Sequence, residues 1–311
     1  MLSSFQILIR LFRLGRELHP KLTASDLKNR AAILGLWMSS LRELRAWYGI
    51  SDNPKLASAL KQFPLMHGAI YWPYINHTWS MERRLKTIDQ HYRLLDGRAS
   101  VIALATQDGV ELTALDEHYP GLRLVLDKAI WFLREGEIVL NLFLRDLRFY
   151  SIAFTLNTEA GQLVAYVGAL QGSGSDDALQ VYREITGALH GMRPRDFLVV
   201  ALKLLCKEFG VAKIYAVSGD ARQHNSPYFG GFHKDKVLVN YDEVWSEHGG
   251  TRLDNGFFEI PVLVQYRDAS EIPTRKRATY RRRYQMLDKF ALDIEAACSR
   301  HETTHPKALR L

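Results

Sequence analysis

The run from Tyr182 to Ser218, YREITGALHGMRPRDFLVVALKLLCKEFGVAKIYAVS, constrains the fold more than any other part of the chain. It reads as a polar helix, a tight glycine-containing turn at His190–Arg195, a helix apolar almost all round, Gly210, and a buried strand over 212–218. A helix without a wide polar face must lie inside a sizeable core, so this segment marks the centre of a domain. The pattern predicts Phe197, Leu198, Ala201, Leu202 and Leu205 in the core, with Lys203 and Lys207 on an exposed stripe. Pro194 suits the first helical position, where a missing N–H does no harm. Free backbone donors just beyond it, Arg193 and Arg195 beside them, and Gly191 allowing close approach make a pattern fit for an anionic ligand. In the competing reading Asp196 complements the helix dipole and the arginines pair with surface acids.

The chain has 311 residues, enough for one large domain or two smaller ones, and carries a formal charge of +7. Much of the excess sits at Arg10, Arg13 and Arg16 and again at Arg275, Lys276, Arg277, Arg281, Arg282 and Arg283. Localised basicity suggests a polyanion or a solvated helix face. Two cysteines, Cys206 and Cys298, exclude a disulfide scaffold and a cysteine zinc site, in keeping with a reducing compartment. The opening MLSSFQILIRLFRLGRELHP is not expected to act as a signal peptide, because three arginines interrupt its apolar run and no small-residue cleavage site follows. As a helix it sets Ser3, Gln6, Arg10, Arg13 and Glu17 on a polar stripe, with Phe5, Leu8, Ile9, Phe12 and Leu14 over most of the rest. Such a helix either packs on its own domain or lies on a membrane interface. No stretch approaches the ~20 apolar residues of a spanning helix. The expected location is cytoplasmic, with peripheral attachment to the inner membrane as an option.

Residues 1–95 are expected to be helical and aromatic-rich, with helices over 25–49 and 80–94 around a Tyr71–Trp79 loop that pins to the core or stacks on a flat ligand. An α+β core follows over 96–300, and 301–311 is a frayed tail. Within the core, SVIALAT reads as a strand and 118–134 as a helix. The runs 137–146, 147–156 and 162–171 read as an antiparallel meander. GSGSDD is a loop in which Ser175 caps the next helix. Strands at 237–240 and 257–266 flank a short helix at YDEVWSEHGG, and a basic helix runs from about 276 to 298. The fold class is α+β: a helical amino-terminal region, then a mixed, largely antiparallel sheet flanked by helices.

Candidate acid–base groups are His190, His224, Tyr241, Asp242, Glu243 and Glu247; histidine suits proton transfer near neutral pH, and His224 lies in a loop leaving a strand. Phosphate-loop, dinucleotide and nucleophile-elbow motifs are absent. The helix-borne run RKRATYRRRY lacks any nucleic-acid module, so nucleic acid is a poor candidate partner.

The order of elements resembles the GNAT acyltransferase fold. That resemblance implies an acyl-CoA or acyl-carrier thioester whose pyrophosphate is held by the loop and helix after a central strand. In this chain about eighteen residues separate Gln171 from His190, whereas the GNAT phosphate loop follows its strand almost at once. The motifs ALHGMRPRDFL (188–198), GVAKIYAVS (210–218), NYDEVW with its trailing glycines (240–250), KRATYRRRY (276–284) and MERRLKTIDQHY (81–92) resemble the VirK/YbjX family of Gram-negative bacteria. The resemblance implies a setting in virulence, placement of a client envelope protein and resistance to antimicrobial peptides, but no chemistry. Two functions stay open: an envelope-related enzyme, plausibly an acyltransferase, or a non-enzymatic factor binding a membrane surface or client protein.

Overall fold

The computed structural model describes residues 2–50, 52–95, 100–106, 108–174, 178–229 and 239–302. Helices α1 (Ser4–Leu18), α2 (Ala24–Ser39), α3 (Leu41–Tyr48), α4 (Pro54–Gln62) and α5 (Met81–Leu94) come first. The predicted single helix over 25–49 is two helices, broken at Ser40, whose φ of −142° leaves the helical region. Helix α6 (Ser100–Ala105) replaces the strand expected at SVIALAT. Its apolar content suited a strand, but Val101, Ile102 and Ala105 are buried at helical spacing beside the last helix, α10 (Arg277–Glu302). The helix expected over 118–134 is also corrected. Leu122, Leu124 and Leu126 alternate with half-buried Arg123, Val125 and Asp127, the period of a strand.

The sheet runs in the order β1-β2-β3-β4-β5-β6-β8-β7. Its strands are β1 (Val110–Ala114), β2 (Leu122–Asp127), β3 (Ile138–Leu144), β4 (Leu147–Glu159), β5 (Gln162–Gly172), β6 (Lys213–Val217), β7 (Thr251–Arg252) and β8 (Phe257–Ile260). The predicted meander is β3–β4–β5, and β6 joins the same sheet. Among the described residues β5 and β6 are the one parallel pair. Their crossover consists of α7 (Ala178–Ala188) and α8 (Pro194–Glu208). The architecture is thus α+β with a mixed, mostly antiparallel sheet and helices before and after it. The strand predicted over 257–266 stops at Ile260, since Pro261 has no N–H for the ladder. Residues 237 and 238 of the expected 237–240 strand, and the Ser175 cap, lie outside the described residues. Asn240 caps α9 (Tyr241–Glu247) through its side-chain oxygen.

Helix α8 packs across β3, β4 and β5, and the five residues predicted as its core are buried. Lys203, expected on an exposed stripe, is buried as well. Its stem lies in the core while Nζ donates to the His248 carbonyl at 3.0 Å, at the carboxy-terminal end of α9. That end carries the helix's partial negative charge, which makes it a fitting seat for an ammonium. Burial still lowers the Lys203 pKa to about 8.

The amino-terminal helices share a hydrophobic core with the sheet. A polar network reinforces the junction. Lys128 Nζ lies 2.7 Å from Glu137 Oε2, and both side chains are almost wholly buried. Tyr92 and Tyr74 donate to the two Glu137 oxygens at 2.9 and 3.0 Å, and Tyr74 also meets Thr155 Oγ1 at 2.7 Å. Burial alone would raise the Glu137 pKa, but Lys128 and its other partners hold it below the usual carboxylate range.

Candidate functional site

After Val167 and Ala216 the parallel pair β5 and β6 has no further register, while β5 runs on to Gly172. A strand edge left this way exposes backbone groups that need partners. The Tyr241 hydroxyl supplies them at Leu170: the Leu170 N–H donates to it at 2.6 Å, and it donates to the Leu170 carbonyl at 3.1 Å. Helix α9 brings Tyr241 there because Trp245 Nε1 donates to the Val217 carbonyl, at the end of β6, at 2.9 Å. Tyr241 and Trp245 are both buried, as their helix-face pairing suggests.

The segment between β2 and β3 reaches the same place. Gly168 is the extra residue of a bulge in β5, between the pairs Ala153↔Ala169 and Phe154↔Val167. A Cβ at Gly168 would lie 2.0 Å from the Glu135 carbonyl oxygen, and one at Gly136 would lie 2.6 Å from the Phe154 nitrogen. Two bare backbones therefore let residues 135–136 cross directly over β4 and β5. Glu135 is delivered, fully buried, to Gln223 beyond the end of β6, and Gln223 Nε2 donates to Glu135 Oε1 at 2.8 Å. Glu135 Oε2, Gln223 Oε1 and Arg222 Nε are buried and lack a hydrogen-bond partner among the described residues. The Arg222 guanidinium lies 3.9 Å from the centre of the Tyr241 ring. Burial pushes the Glu135 carboxyl up to about 7, against smaller opposing effects of Arg134, Gln223 and Arg222.

The aromatic loop packs beside these polar groups. Ile75 N–H donates to the Arg134 carbonyl, His77 N–H to the Ala221 carbonyl, and Arg134 lies over the rings of Trp72, Tyr228 and Phe229. His224 lies within 3.1 Å of Gln223 Nε2 and stacks on Phe229.

On the outer side a cleft of about 750 Å³ is lined by Tyr150, Tyr182, Arg183, Thr186, Arg193 and Arg195, together with Gly172–Gly174 at the end of β5. The predicted anion turn forms its rim. Pro194 is the first residue of α8, and the Arg193 cap residue makes no side-chain cap bond. Both arginines are engaged: Glu247 Oε2 accepts from Arg193 at 2.5 Å and from Arg195 at 2.9 Å, and Asp196 accepts from Arg193 Nε at 2.5 Å. Burial favours protonated Asp196, but bonds from His248 and Arg193 outweigh it and hold its carboxyl low. The rim thus joins Arg193, Arg195, Glu247 and Asp196 in one ion-pair network, with Arg183 beside it. Tyr150 links rim to interior: burial raises its pKa, and Tyr182, Arg195 and Tyr241 all lie near enough to act on its hydroxyl.

His190 sits elsewhere. It adopts a left-handed φ of +52°, next to Gly191 at +76°, and its carbonyl accepts from Arg283 at 2.8 Å. Burial lowers its pKa, helped by neighbouring His118, Arg282 and Arg283. Sequence reasoning missed Glu135, Arg222 and Gln223. The usable signal was a glutamate beside a glycine, Glu135–Gly136, entering a strand where glycine is otherwise unfavourable. Sequence reasoning read Gly172–Gly174 as part of a loop before the next helix, and the structure places these residues on the lining of the cleft.

Among the described residues there is no cluster of metal-ligating side chains and no helix long and apolar enough to cross a membrane. No solved structure matches the chain. An uncharacterized protein of Haemophilus influenzae is 31% identical over 229 residues, which cover 71% of this chain and 74% of that protein. The uncharacterized protein YbjX of Escherichia coli is 27% identical over 257 residues, covering 81% and 75%. A family model described as a protein of unknown function, DUF535, matches residues 24–296. The chain belongs to the DUF535 family, which includes the YbjX relatives its sequence motifs resemble.

Proposed function

We propose that this protein is an acyltransferase that takes its acyl group from a carrier thioester. The observation that carries the reading is the parting of β5 and β6, where the Tyr241 hydroxyl bonds Leu170, in a molecule that also holds a buried carboxyl at Glu135 and a basic-rimmed cleft beyond the end of β5. A carrier with a phosphate-bearing end suits the rim: Arg183, Arg193 and Arg195 outnumber Glu247 and Asp196. The fit is partial, because phosphate must compete with Glu247 for both rim arginines. The thioester brings an activated acyl carbon and a thiolate leaving group.

In this reading Glu135, with a pKa near neutrality, accepts the proton of the attacking amine or hydroxyl. The new acyl bond forms as the carbon–sulfur bond breaks. Tyr241, kept neutral by burial, donates its proton to the departing sulfur. An extended carrier arm would take the Leu170 backbone bonds and free the Tyr241 hydroxyl for this role. Work in the cell envelope, including resistance to antimicrobial peptides, is the setting the family resemblance supports for the acceptor.

The test is thiol release from a panel of acyl-CoAs and acyl-carrier thioesters, with and without amine and hydroxyl acceptors. Turnover that falls about 100-fold or more in Glu135→Gln, with thioester binding retained, is the expected result. A wild-type protein that neither binds nor cleaves any thioester would end the reading.

A further inference from the structure

The first two helices present an apolar surface that the core does not use. On α1, Ile7, Leu11 and Leu14 are buried, while Phe5 and Phe12 are 69% and 53% exposed and Ile9 is also exposed. Phe5, Ile9, Phe12 and Arg16 follow one another at i, i+4, i+7 and i+11, so they form a single stripe. On α2, Leu27, Ala31 and Met38 repeat the pattern, and Met38 is 83% exposed. The two helices run antiparallel: Trp37 Nε1 donates to the Ser4 carbonyl at 3.0 Å, and Arg30 Nη2 to the His19 carbonyl at 2.6 Å. In each helix the order around the axis is core side, partner side, exposed stripe. Reversing one helix then turns both stripes to the same side, away from the core.

Charge identifies the occupant. The first 50 residues hold eight Lys and Arg against three Asp and Glu. Arg13, Arg16, Lys21 and Lys28 are exposed around the stripes, and none forms an ion pair among the described residues. Large apolar side chains edged by unpaired cations match an anionic lipid surface, where the rings enter the acyl boundary and the cations reach the phosphates. We infer that the α1–α2 hairpin docks the protein on anionic membranes through this face. The inference is independent of the chemistry proposed above.

Flotation of the full chain with phosphatidylglycerol-containing vesicles, beside pure phosphatidylcholine vesicles, tests it. Binding to the anionic vesicles alone, weakened by salt, is expected. Phe5→Ser with Phe12→Ser, and separately Arg13→Glu with Arg16→Glu, should each weaken binding about tenfold or more while leaving the melting temperature unchanged. Absence of wild-type flotation with anionic vesicles at low salt overturns the inference. So does wild-type flotation by both folded variants. If the phenylalanine substitutions instead abolish self-association seen without vesicles, the face is a contact between copies and the lipid assignment is wrong.

Discussion

Glu135 and Glu137 are two residues apart, both carboxyls are buried, and they meet opposite fates. Glu137 has a lysine, two tyrosines and a pKa held low. Glu135 has a bond from Gln223, an oxygen without a side-chain hydrogen-bond partner among the described residues, and a pKa near neutrality. A satisfied buried charge fastens elements together, and here it joins the aromatic loop and α5 to the sheet. An unsatisfied one is a standing liability, and such liabilities gather where a protein handles protons. The contrast separates the structural side of the 135–137 turn from its candidate chemical side.

The sharpest way to break the contrast is to strip Glu137 of its cation. Lys128→Met should cost about 3–5 kcal/mol, because Glu137 would stay buried without its counter-charge. Adding Glu137→Gln should restore a large part of that loss, since the charge left behind is the main penalty. Urea denaturation of both variants measures this. A Lys128→Met loss below about 1 kcal/mol would mean the pair is not the fastening that its burial implies.

Glu135 should behave in the opposite sense. Its folded carboxyl keeps a proton up to about 7, while an ordinary carboxyl releases it near 4.5. Between those values the folded state binds more protons, so this group's contribution to stability falls as pH rises and levels off above the window. The full difference is on the order of 3 kcal/mol. Glu135→Gln removes the ionisation, so its stability relative to wild type should climb from pH 4.5 to 7. Comparing the two proteins cancels His91 and His67, whose pKa values burial lowers to about 4 and which destabilise toward acid. A difference independent of pH would show that Glu135 is ionised and paired like its neighbour.

The two carboxyls also show what the sequence could convey. Periodicity revealed α8, the β3–β4–β5 meander and the rim arginines, because each is written in a contiguous stretch. It misread 100–106 and 118–134, where short apolar runs fit either period and tertiary packing decided. The meeting of Glu135, Gln223 and Tyr241 was beyond it. That site depends on a bulge, two close backbone crossings and a strand pair that parts, and these juxtapose residues far apart in the chain. Lys203 was misplaced for a related reason: its partner, the end of α9, is distant in sequence.

The smallest stability effect is expected at the rim, and it bears most directly on the chemical side of the contrast. Arg193→Gln with Arg195→Gln removes no core side chain but releases Glu247 and Asp196 from their partners. Partly exposed pairs of this kind contribute about 0–1 kcal/mol each, less where solvent screens them, so a loss of about 1 kcal/mol overall is expected. If the arginines serve an anionic ligand, binding of a phosphate-bearing carrier should fall well beyond what that loss explains. Single exchanges of Glu247→Gln and Asp196→Asn should strengthen binding, because they remove the internal competitors. Calorimetric titration with CoA beside a melting curve gives both quantities. A folded double-arginine variant that binds CoA as tightly as wild type would show that the rim only braces α8 against α9 and serves no anion site.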